Sequence, residues 1–392
     1  MSTPPPARHS RRPARSHRVA VGVTAALVAV PLFAASGAFA VYQHLNHNLD
    51  TATDVDKYLG TARPTTTTTA TADPLVDGYE GRPVNILVMG IDSRDGKNSE
   101  FGYVPGMRSD SMFLVHLPAD RSRVDVVSVP RDSLLPRPEC THADGSTSPA
   151  VASAMVNESF EVGGGKDGNL TTAAACTRKT FEAASGVRTD EHVVIKMVGV
   201  RNVINTLGGV PFCVPVKMDS KKSGLHVLPG KQVFDGQTSI QWLRTRTGVG
   251  GDLWIGSDLK RLDRQHEFLQ AVADKVHSEN LLGKPTTLLK VLDQATKAIS
   301  VSPGLGDLRS IAGLAATLRG IDGGDIEAVT VPTASVPHTG GRVAWTSAAD
   351  DIWQRIADDR PLVDPAPKPT SASGAPTHAA KPRATTSAGV CG

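Results

Sequence analysis

The sequence predicts an α/β fold, because short apolar, β-branched runs alternate with helical patterns through the middle of the chain. Two further observations bound that region. A charge-free stretch precedes it, and low-complexity segments rich in Thr, Pro, Ala and Ser flank it on both sides. Of the 392 residues 40% are apolar and 21% charged, enough for a substantial core. The formal net charge of +3 does not call for a nucleic-acid partner.

At the N-terminus, residues 1–18 carry Arg8, Arg11, Arg12, Arg15 and Arg18 and no acid. Val19–Tyr42 then runs about 24 residues without a charge. At ~1.5 Å per residue that is ~36 Å, enough to cross a ~30 Å hydrocarbon layer. A single membrane span is therefore expected at 19–42. The basic tail 1–18 should stay in the cytoplasm and everything after Tyr42 should lie outside it, at the cell membrane. Ala38-Phe39-Ala40 resembles a leader-cleavage site, so a removable signal peptide is the alternative, and the length favours a retained anchor. A basic arm that abuts a membrane span argues against nucleic acid.

Residues 43–80, with a Thr-rich run at 65–69, are expected to form a stalk. The folded unit is expected at 81–362, and 363–392 as a disordered tail. Strands are predicted at Asn85–Met89, Ser111–Leu117, Val124–Val129, His192–Lys196, Val210–Val214 and Ile326–Val331. Helices are predicted at Val198–Leu207, stopped by Gly208-Gly209, and at 258–278, 286–299, 306–318 and 347–357. In the helix from Asp258, Leu259, Leu262, Leu269, Val272 and Val276 form the core stripe, which leaves Arg261, Arg264 and Gln265 at its margin.

The first three strands make a path. Strand one ends in Gly90-Ile91-Asp92-Ser93-Arg94, and strand two begins at Arg108-Ser109-Asp110. The short turn Pro118–Ser122 makes strands two and three antiparallel, and strand three ends in Pro130-Arg131-Asp132. Asp92, Arg94, Arg108, Asp110, Arg131 and Asp132 then converge on one rim of the sheet. Crowded carboxylates need a cation or a proton between them, and crowded arginines suit phosphate oxygens. A divalent cation on the aspartates, with a pyrophosphate between it and the arginines, satisfies both. Mg²⁺ fits best, since it takes one or two carboxylates plus substrate phosphate and water. Mn²⁺ is the alternative. The plain reading is a set of surface ion pairs, each worth ~0–1 kcal/mol. A second basic group weighs against it. Arg244 and Arg246 sit two apart and would point the same way in an extended segment. Arg261 and Gln265 sit four apart on one helical face.

These residues resemble the LytR-CpsA-Psr family. The matching pieces are NILVMGIDSR (85–94), RSDSMFLVHL (108–117), VVSVPRD (126–132) and VNESFEVGG (156–164). They continue in order with NTLGGV (205–210), SGLHVLPGKQVFDGQ (223–237), WLRTR (242–246) and SDLKRLDRQ (257–265). The resemblance covers about 81–280 and continues more weakly to about 360. It implies an α/β fold with a central mixed sheet flanked by helices and a deep apolar groove. It implies membrane-anchored, extracytoplasmic phosphotransferases that move a glycopolymer from a polyprenyl-pyrophosphate carrier to peptidoglycan through a phosphodiester. By matching position, Asp92 and Asp110 would hold Mg²⁺, and Arg94, Arg108, Arg131, Arg244, Arg246, Arg261 and Gln265 would surround the pyrophosphate. Asp132 would orient Arg131, or serve as the base for the acceptor hydroxyl. Three positions depart from the usual pattern. Ser111 stands where Thr is common, His266 replaces the second Gln of RQQ, and Met155 replaces a frequent Lys.

Cys140, Cys176, Cys213 and Cys391 allow three full pairings on an oxidising side of the membrane. A Cys140–Cys176 bridge is favoured, pinning the loop after Pro-Arg-Asp onto the next helix. Cys213 reads as a buried thiol and Cys391 lies in the tail. His116 reads as a satisfied sheet residue. Gly163-Gly164-Gly165 lacks the spacing of a phosphate loop. A pyrophosphate hydrolase on lipid-linked substrates and a non-catalytic polyprenyl-phosphate receptor are the alternative functions. The Asp92/Asp110 pair counts against the receptor.

Overall fold

The structure is a computed structural model, and it describes residues 32–33, 35–65, 78–79, 81–91, 107–255, 258–321 and 325–363. Most of the expected span 19–42 and all but the first residue of the expected tail 363–392 lie outside the described residues, as do Asp92 and Arg94. The chain divides into two units, Met1–His47 and Asn48–Gly392. In the first, residues 35–47 are helical. Among the described residues no helix is long and apolar enough to cross a membrane.

The second unit is built on a seven-stranded mixed sheet. Its strands are β1 (Asp50–Thr51), β2 (Val84–Ile91), β3 (Ser109–Leu117), β4 (Val124–Ser128), β5 (Glu191–Lys196), β6 (Ile299–Val301) and β7 (Ile326–Thr330). Their order across the sheet is β1-β6-β5-β2-β3-β4-β7. β3 runs antiparallel to β2 and β4, whereas β2–β5, β4–β7 and β1–β6 are parallel. The two faces of β2 are both apolar, so both must be covered. Leu87, Met89 and Ile91 point to one core with Phe160, Phe181 and Trp353. Val84 and Ile86 point to the other with Val301, Leu305 and Leu314.

The helices are α1 (Val55–Leu59), α2 (Glu158–Gly164), α3 (Leu170–Ser185), α4 (Met197–Thr206), α5 (Gly236–Arg244), α6 (Asp258–Ser278), α7 (Pro285–Ala298), α8 (Leu308–Thr317) and α9 (Ala348–Ala357). The Asn169 side chain caps α3 by accepting from Thr172 N at 3.1 Å, and left-handed Gly186 ends it. α2 lies so close to α3 that a Cβ on Gly163 would fall 2.4 Å from the Cys176 Cβ. That contact explains Gly163, and Gly165 takes a φ of 61° where α2 ends. Beside it Cys140 and Cys176 form the expected disulfide, with Cα atoms 5.3 Å apart. His116 is fully buried and bonded on both ring nitrogens, to Asn85 at 2.8 Å and Asp359 at 3.0 Å.

Three expectations are corrected. The stalk assigned to 43–80 is in part woven into the domain. β1 joins the central sheet, Val55 and Leu59 are buried against Ala175, and Arg63 bonds Glu182 at 2.6 and 2.9 Å. The signal was Val55-Asp56-Lys57-Tyr58-Leu59, a short amphipathic helix beside the polar run. Cys213 is not a buried thiol but exposed on its strand and disulfide-bonded. The α6 stripe is shifted as well. Leu262 and Phe268 are buried, yet Leu269 and Val276 are exposed, and the buried face carries Arg261, Arg264 and Gln265.

A third core supports the far end of the site. The hairpin Val210–Val214/Gly230–Phe234 packs against α5 and α6 through Phe212, Phe234, Trp242 and Phe268. The Phe212 and Trp242 rings meet edge-on with centroids 4.9 Å apart. This rigid aromatic knot fixes where α5 ends, and so where Arg244 and Arg246 begin.

Candidate active site

Because β3 is antiparallel to both neighbours, its start lies on the same rim as the ends of β2 and β4. The β2–β3 register breaks there: Gly90 faces Ser111 and Ile91 faces Ser109, which leaves Asp110 as an extra residue in a bulge. The bulge takes the Asp110 carbonyl out of the regular ladder, and Arg261 of α6 donates to it from Nη2 at 2.9 Å. The Asp110 carboxylate accepts from Arg131 Nη1, one turn beyond β4. Asp132 lies between two arginines, with Oδ1 3.7 Å from Arg131 Nε and Oδ2 3.6 Å from Arg246 Nη1. The Pro-Arg-Asp turn is braced through its backbone: Asn157 N donates to Arg131 O at 3.3 Å and Val343 N to Asp132 O at 3.2 Å. Two separate arms of the chain thus hold the turn that presents Arg131.

Arg244 is the last residue of α5, so it is helical and not extended as expected; Thr245 begins the extended exit. The side chain of Gln265 ties this exit to the sheet. Its Nε2 lies 3.0 Å from Leu243 O and 3.1 Å from Ser111 Oγ. A residue given no role from sequence completes the arrangement. Arg264, 5% exposed, donates to both oxygens of Asp252 through Nη1 and to Thr245 O through Nη2. Thr245 stands between Arg244 and Arg246, so Arg264 sets the backbone from which both project. The available signal was its spacing: three residues after Arg261, it shares that helical face. His266 also finds a partner the sequence did not suggest, Ser128 Oγ at 2.7 Å, and burial pushes its imidazole pKa down.

Arg261, Asp110, Arg131, Asp132 and Arg246 are therefore linked in one network. Gln265 adjoins it through Ser111 and Leu243, the chain neighbours of Asp110 and Arg244, and Arg264 holds the segment between Arg244 and Arg246. Arg108 is turned elsewhere, toward α2, where its Nε donates to Glu161 at 2.7 Å and Glu158 lies 3.7 Å away. Asp92 and Arg94 follow directly on β2 but lie outside the described residues.

Immediately behind the rim lies an apolar cavity of about 270 Å³. β2 and β3 form its floor through Val88 and Phe113, α4 and α7 one wall through Val200 and Ala298, and α6 the other through Phe268 and Val272. The α4–α7 wall is tight: a Cβ on Gly199 would sit 2.2 Å from that of Ala298. Ser111, Gln265 and Leu243 belong both to this cavity and to the polar network. The arrangement suits an amphiphile whose apolar part is sheathed in the cavity while its anionic end meets the arginines.

Among the described residues no group of three or more His, Cys, Asp or Glu is gathered to hold a metal. The donors present are of the kind Mg²⁺ takes, namely carboxylate oxygens of Asp110 and Asp132 beside arginines that would hold phosphate. One Asp110 oxygen accepts from Arg131, so a cation at this site would be held through the other.

Comparison with known proteins settles the family. Residues 42–356 match the LytR_cpsA_psr family. The chain belongs to that family. The LytR_cpsA_psr relatives include the probable cell wall biosynthesis protein LcpB of Corynebacterium glutamicum, 30% identical over 273 residues, covering 67% of this chain and 58% of that protein. A polyisoprenyl-teichoic acid–peptidoglycan teichoic acid transferase, TagV of Bacillus subtilis, is 24% identical and covers 56% of this chain and 50% of its own length. The chain thus spans less than two thirds of these curated relatives. Among solved structures, a LytR-Csp2A-Psr enzyme from Actinomyces oris aligns with a TM-score of 0.53 at 17% identity, over 76% of this chain and 97% of that one. The shared fold is the mixed sheet flanked by helices.

Proposed function

We propose that this protein is a phosphotransferase that moves a glycopolymer from a polyprenyl-pyrophosphate carrier to peptidoglycan through a phosphodiester bond. The observation that carries the reading is that the apolar cavity is lined by Ser111 and Leu243, the chain neighbours of Asp110 and Arg244, and by Gln265, one helical turn from Arg261. A polyprenyl pyrophosphate has the same two-part chemistry, and each methylene buried contributes on the order of 0.8 kcal/mol. The name of the TagV relative describes transfer from a polyisoprenyl carrier to peptidoglycan, which supports the same reading. In this reading residues 19–42 anchor the chain in the cell membrane and the folded unit works outside the cytoplasm.

In the reaction, an acceptor hydroxyl oxygen forms a bond to the phosphorus that carries the glycan. The bridging P–O bond breaks, its electron pair leaves with polyprenyl phosphate, and the hydroxyl proton passes to a base or to solvent. Arg131, Arg246 and Arg261, with Arg94 and Arg244, hold the phosphate oxygens and offset the charge that grows on the leaving group. Asp132, set between Arg131 and Arg246, keeps both guanidinium planes in place. Gln265 fixes the seam between the lipid and phosphate halves of the site. Mg²⁺ held by Asp92 and Asp110 would supply further neutralisation of phosphate charge. Filling the cavity tests the reading. Val200→Trp should abolish turnover of long-chain carriers and spare a short-chain pyrophosphate. Equal loss on both chain lengths would remove the cavity from the substrate site.

A further inference from the structure

Between Arg246 and α6 the chain makes a loop, Gly248–Ile255, whose outer side is unusually apolar. Val249 is 75% exposed, Trp254 77% and Ile255 47%, and Val216 beside them is 42% exposed. The loop is firmly seated. Val249 and Asp219 exchange backbone hydrogen bonds at 2.8 and 2.9 Å, and a Cβ on Gly250 would fall 1.9 Å from Lys217 O. Leu253 is buried with Met218 and Leu225 beneath it. The exposed side chains are therefore presented by a fixed platform, not by a frayed end. Large apolar side chains grouped on a surface mark a contact site.

The charges around the loop say what the contact is. Lys217, Lys221 and Lys222 are exposed on the adjoining strand pair Met218–Ser220/Leu225–Val227 and its flanks. The acid among them, Asp219, lies 3.4 Å from Lys217 and 2.9 Å from His226, and the three lysines outnumber it. A second copy of this chain would bring the same lysines against these, and a glycan offers nothing to Val249 or Ile255. A bilayer with anionic headgroups matches both parts: valine, isoleucine and tryptophan enter the headgroup–acyl boundary while lysines reach phosphates. We propose that the Gly248–Ile255 loop, with Val216 and the three lysines, seats the domain on an anionic membrane surface. The seat connects directly to the site. Asp252 of the loop holds Arg264, and Arg264 holds the carbonyl between Arg244 and Arg246. The phosphate-binding pair is thereby set at headgroup level. That functional consequence rests on the proposed transfer from a lipid carrier; the seat itself does not.

The full chain in nanodiscs of phosphatidylglycerol and phosphatidylcholine tests it, with brominated phospholipid as a quencher of tryptophan emission. Trp242 and Trp353 are buried and Trp345 is half-buried, whereas Trp254 is 77% exposed, so Trp254 should supply most of the quenched signal. Trp254→Phe should remove that quenching. Replacing Lys217, Lys221 and Lys222 by Gln should weaken it on phosphatidylglycerol by roughly fivefold per lysine, and not on pure phosphatidylcholine. Unchanged quenching in Trp254→Phe overturns the seat. So does a sedimentation shift from dimer to monomer in Trp254→Asp, which would make the occupant a second copy. Transfer assayed in parallel separates the two readings. Quenching that depends on Trp254 with no transfer on any carrier leaves the seat standing and removes the transferase. Transfer on membrane-borne carrier that is indifferent to both variants, with quenching unchanged, removes the seat alone.

Discussion

Arg264 should matter to activity without touching substrate. Its guanidinium is nearly buried, bonded at one end to the Asp252 carboxylate and at the other to Thr245 O. Burial lowers its pKa, opposed by the charge and hydrogen bonds of Asp252. Arg264→Met removes both arms. A hydrogen bond to a charged group is worth ~1.5–3 kcal/mol, and a buried pair broken on one side costs ~3–5 kcal/mol. Asp252 is about a quarter exposed and recovers part of its loss from water, so ~2–3 kcal/mol of stability is expected to go. The catalytic effect is separate. Freed from Arg264, Thr245 no longer fixes Arg244 and Arg246. One misplaced preorganised donor costs ~10²–10³ in kcat when removed outright, so a displaced pair should cost at least ~10-fold. Arg264→Lys separates the two, because ammonium can still meet Asp252 but cannot reach both partners with a planar fork. It should regain most of the stability in urea unfolding and little of kcat in a lipid-linked glycan assay. Wild-type kcat and KM in both variants, with the fold intact, would refute the positioning role.

Three further outcomes follow from the same physics. Asp110→Asn should remove most EDTA-sensitive turnover while leaving the circular dichroism spectrum unchanged, and metal dependence identical to wild type would count against the cation. Replacing Cys140 and Cys176 by Ala opens a loop of 36 residues, worth ~3–4 kcal/mol in the chain-entropy account, read as a lowered Tm. Stability should also fall on acidification. Burial alone would raise the Glu182 pKa, but the Arg63 and Thr189 hydrogen bonds bring it below its ordinary value. Burial and the Arg178 charge push His192 down to about 3. Both groups bind fewer protons folded than unfolded, so stability is full above about pH 6.5 and drops as pH falls toward 3. Arg63→Met should remove the part of the Glu182 contribution that Arg63 supplies, which pH-dependent urea titrations would show as a shallower slope.

Much of the fold was legible because local patterns and global packing agree. The alternation in β2–β4 and the short turn at 118–122 fixed the antiparallel order, and with it the rim that gathers Asp110, Arg131 and Asp132. What escaped had long-range causes. The β3 bulge that projects Asp110 depends on register with Gly90, which no single-strand pattern reveals. The α6 face was misplaced because its buried side is polar: Arg261, Arg264 and Gln265 go inward to meet backbone carbonyls and Ser111, where periodicity expects leucine. Arg108 was grouped with the rim by adjacency to Asp110, but α2 supplies Glu158 and Glu161 at ion-pair distance. The segment at 48–64 read as stalk since a polar Thr run follows it, although Val55 and Leu59 are core residues.

The proposed transferase joins two substrates and does not merely split one. The measurement is release of polyprenyl phosphate from a defined lipid-linked glycan by the purified full chain with Mg²⁺, with and without peptidoglycan. Peptidoglycan should accelerate release, and the glycan should appear on peptidoglycan through a phosphodiester. Equal release without acceptor, and no linked product, would contradict transfer and make the protein a hydrolase.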